Sequence, residues 1–268
     1  MPIFLSQVNR QTRLQYWSGI YVPCVQKLPN NINPLDSTKN GTKQLEGEDE
    51  LMSYMAAYGA HHYHKLQAAF LNANLGILHN RNIEIVDWGC GQAVATAILL
   101  DFLLAKEIFP IINRITLIEP SNDALQKGLS YLEKILIGNN DIGVSVRQVC
   151  NYLHEVSDSN VKSSAETVKI HLFSNILDIA SVELDNLYQL VIRTNQGINK
   201  FICTGPYNPK RCRIDDFRQR FSKEYTLEDE FCSDQRLAHP YWKLGNNKSP
   251  PYSEYNITRY EQQFTVRL

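Results

Sequence analysis

The sequence lacks the features that mark secreted, membrane-bound or polyanion-binding proteins. Its first residues contain no basic start followed by a long apolar core, so we expect no secretory signal. No apolar stretch is long enough to span a membrane, because even residues 93–109 are interrupted by Asp101, Lys106 and Glu107. The formal net charge of −1 gives no overall reason to expect a nucleic-acid partner. We therefore expect a cytoplasmic protein that does not associate with membranes.

Paired cysteines are also missing. The six cysteines are spread along 268 residues without a C-x-x-C pair, at Cys24, Cys90, Cys150, Cys203, Cys212 and Cys232. Several lie in apolar runs, which favours buried free thiols in a reducing compartment over disulfides. Three histidines lie close together at His61, His62 and His64, but no acid or cysteine is obviously nearby, so we expect no metal site.

The periodicity of the apolar residues alternates between that of helices and that of strands. Polar segments at residues 29–50, 157–166 and 233–254 are predicted to be loops. Helices are predicted at residues 50–78, 93–106, 121–136, 182–191 and 213–221, and strands at residues 83–86, 114–118, 144–149, 168–173, 201–204, 224–231 and 257–268.

This alternation predicts an α/β protein with a doubly wound, mostly parallel sheet and helices on both faces. The last two predicted strands have no helix between them, which suggests that one of them runs antiparallel to the rest. Residues 1–80 are predicted to form an N-terminal helical extension, and residues 81–268 the sheet domain.

A cluster of special residues directly follows the first predicted strand, namely Asp87, Trp88, Gly89, Cys90 and Gly91. The two glycines let the backbone approach a ligand without a Cβ clash, and the following helix offers free N–H groups. An acid at Asp87 suits a ligand with a cationic amino group, such as the α-ammonium of S-adenosylmethionine. It suits the pyrophosphate of a dinucleotide poorly, because like charges repel.

A second acid, Glu119, stands at the end of the next predicted strand. At that position its carboxylate can accept hydrogen bonds from two ribose hydroxyls, an arrangement that nicotinamide-dependent enzymes also use. The acid at Asp87 and the absence of a complete G-x-G-x-x-G motif favour S-adenosylmethionine over a dinucleotide. A nucleotide-dependent oxidoreductase remains an alternative.

On these residues the sequence resembles the seven-stranded class I S-adenosylmethionine-dependent methyltransferases. The resemblance rests on residues 86–91 (V-D-W-G-C-G), residues 117–121 (L-I-E-P-S) and the order of elements from about residue 83 to the C-terminus. It implies a seven-stranded sheet with an antiparallel last strand and a methyltransferase that binds S-adenosyl-L-methionine. It also implies cofactor contacts from both motifs, Pro120 included. Ala93 departs from the family pattern, which often has a third glycine there.

Three further contacts are carried over by the same resemblance. Cys150 and Asn151 follow the third strand, where the family often has an acid that contacts the adenine amino group. Asn175 follows the fourth strand, at the family's catalytic strand end. Methylases that act on the amino groups of adenine or cytosine carry Asn/Asp-Pro-Pro-aromatic there, and the S-N-I-L of residues 174–177 disfavours that class.

The methyl acceptor stays open among a small molecule, RNA and protein. A basic run of Lys210, Arg211, Arg213, Arg218 and Arg220 is either a solvated helix face or a contact for an anionic substrate. The catalytic residues stay unknown, with His62 and His239 as candidate bases. Trp88 either stacks on a ligand or packs beneath the N-terminal helix. A non-catalytic protein that retains the cofactor site is the main alternative function.

Overall fold

The computed structural model describes residues 1–28, 44–137, 145–241 and 253–268. Its α-helices are α1 (Val22–Lys27), α2 (Gly47–Asn72), α3 (Val94–Ala105), α4 (Asn122–Ile135), α5 (Asp158–Val161), α6 (Leu184–Thr194) and α7 (Cys212–Ser222). Its strands are β1 (Ile3–Phe4), β2 (Asn82–Trp88), β3 (Ile111–Ile118), β4 (Val146–Val149), β5 (Val168–Ser174), β6 (Ile198–Pro206), β7 (Leu227–Ser233), β8 (Arg236–Tyr241) and β9 (Ser253–Arg267).

The strands form a mostly parallel sheet in the order β1-β3-β2-β5-β6-β9-β7, and β4 pairs with β3 while β8 pairs with β9. Strand β2 lies at the centre, parallel to β3 on one side and to β5 on the other. The last strand, β9, runs antiparallel between β6 and β7. The predicted fold class is therefore confirmed, and the two-residue β1 and the six-residue β8 add to the seven expected strands.

Two predicted elements differ from the structure for local reasons. The helix predicted at residues 50–78 ends at Asn72, because Asn74 adopts a left-handed backbone with φ +46°, and a short 3₁₀ turn follows. The loop predicted at residues 233–254 contains β8, which pairs antiparallel with the first half of β9. Residues 242–252 of that loop lie outside the described residues, as do residues 29–43 of the first one.

Two apolar layers cover the faces of the sheet. In β2, Ile83 and Ile85 point into the layer shared with α2 and α3, whereas Val86 and Trp88 point into the layer shared with α6 and α7. A strand covered on both faces carries apolar residues on both, as Ile83, Ile85, Val86 and Trp88 do. In the part of the chain described, no helix combines the length and the apolar character needed to cross a bilayer.

The N-terminal residues pack directly on this sheet. Strand β1 pairs antiparallel with β3, and the buried Tyr16 donates a hydrogen bond from its hydroxyl to the carbonyl of Gly59 in α2 (3.2 Å). The carboxylate of Asp101 in α3 pairs with Arg13 at 2.5 Å and accepts a hydrogen bond from the Tyr16 N–H at 3.2 Å. These contacts fix α2 across the carboxyl end of β5, where the candidate site begins.

Candidate functional site

A cavity of about 340 Å³ lies at the carboxyl ends of β2, β3 and β5. This edge is where open α/β sheets bind ligands, and the volume falls within the range of small-molecule sites. Six residues predicted from the sequence line it, namely Gly89, Gly91, Glu119, Pro120, Asn151 and Asn175. Four others, Asp87, Trp88, Cys90 and Cys150, do not line it. The assignment of these ten residues to cofactor binding stays a prediction.

The turn after β2 depends on its glycines. Gly89 has φ +63°, and a Cβ there would lie 2.5 Å from the Cδ1 atom of Ile176. Gly91 has φ +52°, but a Cβ there would meet no atom within 4 Å. Glycine adopts such angles without steric cost, so the turn keeps the backbone of both residues close to the cavity.

Ala93 also adopts a left-handed backbone, with φ +54°, at the N-cap of α3. This conformation explains why a glycine suits the position, since an alanine there is strained by its Cβ. Space for the Ala93 Cβ is provided by Gly128 of α4, where an added Cβ would lie 2.8 Å from it. The departure from the family pattern is thus accommodated by a second small residue.

Glu119 presents its carboxylate at the cavity. Its Oε2 accepts a hydrogen bond from the Gly91 N–H and its Oε1 accepts one from the Ser121 N–H, both at 3.1 Å. Burial raises the pKa of this carboxyl, although the two N–H groups oppose the shift. A carboxylate has about four acceptor positions. Two of them remain for a ligand such as a pair of ribose hydroxyls.

Asp87 lies beneath the turn and is 1% exposed. Its Oδ2 accepts hydrogen bonds from the Oγ1 of Thr96 at 2.7 Å and from the Thr96 N–H at 3.2 Å. Burial raises the pKa of Asp87 to about 7, because the charged form loses its water. A nearby cation would favour the ionised form of this carboxyl.

Trp88 is fully buried on the face opposite α2. Its ring stacks on Phe173 with a centroid distance of 5.6 Å, and its Nε1 donates to the Nδ1 of His171 at 3.2 Å. The structure thus places Trp88 in the core rather than beneath the N-terminal helix. Cys90 is buried, and burial holds the pKa of its thiol well above the usual range. Cys150 is exposed, and its thiol donates to the Pro120 carbonyl at 3.3 Å.

Sequence reasoning missed most of the polar side chains at the other end of the cavity. The Lys65 Nζ donates to the Oδ1 of Asn175 at 2.5 Å, and the Nδ2 of Asn175 lies 3.2 Å from the Nδ1 of His62. The Nε2 of His62 lies 3.1 Å from the Tyr54 hydroxyl, and Tyr54 itself lines the cavity. Residues 54, 58 and 62 are spaced so that they share one face of a helix, and this spacing was the sequence feature that pointed to the group. Nothing in the sequence indicated that Asn175, after β5, would be their partner.

The two bases of this group are both desolvated. Burial lowers the pKa of His62 well below its usual range, and the Lys65 charge adds to that shift. Burial also lowers the pKa of Lys65 to about 8, with an opposing contribution from Asp178. Asn175 is held at φ +56°, a left-handed backbone that turns its side chain toward α2. At neutral pH the group therefore carries a protonated lysine beside a neutral histidine.

The basic run after β6 is largely paired within the protein. Arg213 donates to the carbonyls of Leu177 (2.9 Å) and Val182. Arg218 forms an ion pair with Glu230, and Arg220 forms one with Asp185 at 2.6 Å. The Arg211 guanidinium lies 4.2 Å from the centre of the Tyr207 ring. These pairings favour a solvated helix face, and contact with an anionic substrate stays an untested prediction.

No protein-family model matches the chain, and the search of curated proteins finds no match. Among solved structures, the chain is similar to a precorrin-6y C5,15-methyltransferase from Geobacter metallireducens, with 13% identity, a TM-score of 0.45, and 75% and 87% of the two chains covered. It is also similar to an rRNA methylase from Streptococcus thermophilus, with 12% identity, a TM-score of 0.43, and 76% and 97% covered.

A third similar structure is TrmK from M. capricolum in complex with S-adenosylhomocysteine, with 12% identity, a TM-score of 0.39, and 74% and 67% of the two chains covered. The order and direction of the strands define the fold without these similarities. Parallel strands β4-β3-β2-β5-β6 are followed by the antiparallel β9 and then by β7. The chain therefore has the predicted α/β fold, a mostly parallel sheet in which β9 runs antiparallel.

Proposed function

We propose that the cavity binds S-adenosyl-L-methionine and that the protein transfers its methyl group to an acceptor nucleophile. One observation carries this proposal. Gly89, Gly91 and Glu119 come from the ends of two adjacent parallel strands, and all three line the same cavity. The glycine turn leaves space for the ring of a nucleoside. The carboxylate beside it has unused acceptor positions, which suit the hydroxyls of the nucleoside's ribose.

The residues around the cavity fit the other parts of that cofactor as well. Asn151 follows β4 and lines the cavity, where its amide can bind the edge of the adenine ring. The backbone of Gly91 has open space beside it, which leaves room for the ribose. Asp87 lies under the turn and becomes more acidic next to a cation, which suits the α-ammonium of the amino-acid part.

The cofactor supplies an electrophilic methyl group on a sulfonium. In the transfer, the bond from sulfur to the methyl carbon breaks, sulfur keeps the electron pair, and the acceptor lone pair forms the new bond. The contribution of the protein is to hold the two reactants in line and to exclude water from them. Asn175 and Tyr54 also line the cavity, so both can contact the bound reactants.

Isothermal titration calorimetry with S-adenosylmethionine and S-adenosylhomocysteine tests this proposal. Wild-type protein is expected to bind both ligands, and Glu119→Ala and Asp87→Ala are expected to bind them at least tenfold more weakly. Glu133→Ala, which removes an exposed acid on α4, is the matched control and should bind like the wild type. A wild-type protein that binds neither ligand would contradict the proposal, and NAD should give no response.

Transfer of a labelled methyl group separates an enzyme from a non-catalytic binding protein. The labelled cofactor is incubated with the protein and with the RNA, protein and small-molecule fractions of an extract. Label in one fraction that depends on Glu119 identifies the class of acceptor. Tight binding without transfer to any fraction would favour the non-catalytic alternative.

A further inference from the structure

Four polar side chains form a continuous path from the core to the cavity. Lys65, His62 and Tyr54 lie on α2, and Asn175 reaches them from the end of β5. The path runs from the Lys65 Nζ to the Asn175 Oδ1 (2.5 Å), from the Asn175 Nδ2 to the His62 Nδ1 (3.2 Å), and from the His62 Nε2 to the Tyr54 hydroxyl (3.1 Å). Lys65 and His62 are each 5% exposed, so water cannot easily replace these contacts.

The lysine fixes the orientation of the amide. A protonated lysine can only donate hydrogen bonds, so the Asn175 atom that faces it must be the oxygen. The opposite side of the amide is then the NH₂ group, which can only donate, and it faces the Nδ1 of His62. The Oγ of Ser174 lies farther from the same nitrogen, at 3.5 Å.

The amide in turn fixes the tautomer of the histidine. Because Nδ1 accepts a hydrogen bond, the proton of the neutral ring is on Nε2. That Nε2–H points at the Tyr54 oxygen, which therefore acts as the acceptor of this hydrogen bond. Burial keeps the ring neutral, since it lowers the pKa of His62 well below its usual range.

The hydroxyl proton of Tyr54 is left for a ligand. Among the described residues, His62 is the hydrogen-bond partner of this hydroxyl. The histidine donates to a lone pair of the Tyr54 oxygen, so the hydroxyl proton is not used in this contact. Each group in the path donates to the next, so the lysine charge polarises the whole path toward the cavity. The nearby acids are Glu119 and Asp178, both of which act on Tyr54 over a longer range.

We propose that Lys65, Asn175, His62 and Tyr54 form a hydrogen-bond chain of fixed direction, whose last proton, on the Tyr54 hydroxyl, is donated to the carboxylate of the cofactor's amino-acid part. The inference rests on the proposed cofactor. The ammonium and the carboxylate of an amino acid need partners of opposite character, and an acid such as Asp87 suits only the ammonium. The negative charges of Glu119 and Asp178 oppose an anion at Tyr54, so the carboxylate is held there by a direct hydrogen bond from the hydroxyl.

This direction has a consequence for the chemistry. Both ring nitrogens of His62 are engaged, one by the Asn175 amide and the other by Tyr54. His62 therefore positions Tyr54 and does not take a proton from the acceptor. Because His62 does not act as a base, the site suits an acceptor whose nucleophilic atom already has a free lone pair and needs no deprotonation.

The first test measures the tautomer of His62 and needs no ligand. Protein with ¹⁵N-labelled histidine is examined by long-range ¹H–¹⁵N NMR at pH 6.5, and His62→Gln assigns the signal. Wild-type protein should show the neutral Nε2–H form. Lys65→Met removes the donor and should give a mixture of tautomers, whereas Lys65→Arg keeps a donor and should preserve the wild-type form. A neutral Nδ1–H form or a charged ring in the wild type would overturn the inference.

The second test measures where the Tyr54 proton goes. Tyr54→Phe should weaken the binding of S-adenosylhomocysteine about tenfold or more, the effect expected for one hydrogen bond to a charged group. It should leave the binding of 5′-methylthioadenosine, which has no amino-acid part, within twofold of the wild type. Tyr63→Phe on the same helix is the control for folding.

An equal loss for the two ligands, or no loss for either, would overturn the assignment of Tyr54 to the carboxylate. Failure of the proposed function gives a different result. In that case wild-type protein binds neither ligand, while the tautomer of His62 can still be measured.

Discussion

Two parts of the cavity wall, here called the end at Glu119 and the end at Tyr54, are built in different ways. The end at Glu119 is formed mainly by backbone, because Gly89 and Gly91 follow β2 within three residues and Glu119 follows the adjacent β3. The end at Tyr54 is formed by side chains whose partners are distant in sequence, such as Lys65 and Asn175, which are 110 positions apart. A turn of this kind can be recognised in a sequence from consecutive residues. A side-chain network cannot, because it depends on how a separate helix docks.

The two ends also differ in charge. Burial raises the pKa of Asp87 to about 7 and raises that of Glu119, so two acids are pushed toward neutrality at the first end. At the second end burial lowers the pKa of Lys65 to about 8 and that of His62.

The largest expected effect is that of Gly89→Ala. The new Cβ would adopt a strained left-handed conformation and would lie 2.5 Å from Ile176. We expect the free energy of unfolding to fall by about 2 kcal/mol or more, and cofactor affinity to fall with it. Urea unfolding and calorimetry with S-adenosylhomocysteine measure the two changes.

Gly91→Ala is the matched variant, because Gly91 has a similar φ of +52° but open space around the new Cβ. We expect it to lower the free energy of unfolding less than Gly89→Ala does, while still weakening the ligand that this space receives. Equal unfolding midpoints for the two variants would show that contact with Ile176 does not constrain the turn.

Glu119→Gln is expected to have the next largest effect on binding. The amide presents one oxygen where the carboxylate presents two, so it cannot accept from both backbone N–H groups and from the ligand hydroxyls. We expect the affinity for S-adenosylhomocysteine to fall roughly 30-fold or more, as for the loss of charged hydrogen bonds. An affinity for adenine that falls equally would argue against a contact with the ribose.

The third prediction concerns pH. The pKa of Asp87 is about 7 in the free protein, and a bound ammonium would lower it, so binding below pH 7 must release a proton. Affinity should therefore rise as pH increases from 6 to 8 and then level off. Asp87→Asn should flatten most of this rise. A wild-type affinity independent of pH would show that no cation approaches Asp87.

Asp87→Asn should also raise the stability of the protein, although it lowers the affinity for the cofactor. The pKa of Asp87 is raised on folding, so the native state binds more protons than the unfolded chain between about pH 4 and pH 7. The free energy of unfolding therefore falls as pH rises through that window. The asparagine avoids this fall, and thermal melts at pH 8 should show a higher midpoint for the variant than for the wild type.

The smallest effect on binding is expected for Trp88→Phe. The change removes the Nε1 donor and leaves the Nδ1 of the buried His171 without that hydrogen bond. We expect a loss of about 1–3 kcal/mol in the free energy of unfolding and a cofactor affinity within twofold of the wild type. A large loss of affinity in a folded variant would place Trp88 in the ligand site after all.

Much of the fold was predictable because it depends on local patterns. The buried strands are short apolar runs that end at turn residues. Ser121, the first residue of the helix predicted at residues 121–136, caps α4 by accepting a hydrogen bond from the Ala124 N–H at 3.1 Å. The antiparallel β9 followed from two strands with no helix between them. Strand β8 could not be predicted, because its pairing with β9 depends on a partner beyond a polar segment.

The site was predictable only in part for the same reason. Gly89, Gly91 and Glu119 are signalled by their positions after consecutive strands, and they do line one cavity. Trp88 is the last residue of β2, and the alternation of side chains along the strand turns it into the opposite layer against Phe173. Tyr54 and Lys65 were not predicted, since their role depends on the docking of α2 over the end of β5.

The measurement that tests this account most directly is a crystal structure of the complex with S-adenosylhomocysteine. In that complex we expect the ribose hydroxyls within hydrogen-bond distance of the Glu119 carboxylate and the amino-acid carboxylate at the Tyr54 hydroxyl. The sulfur would then lie between the two ends, near Asn175. A ligand bound away from Glu119, or one lying in the reverse direction with its adenine at Tyr54, would contradict it.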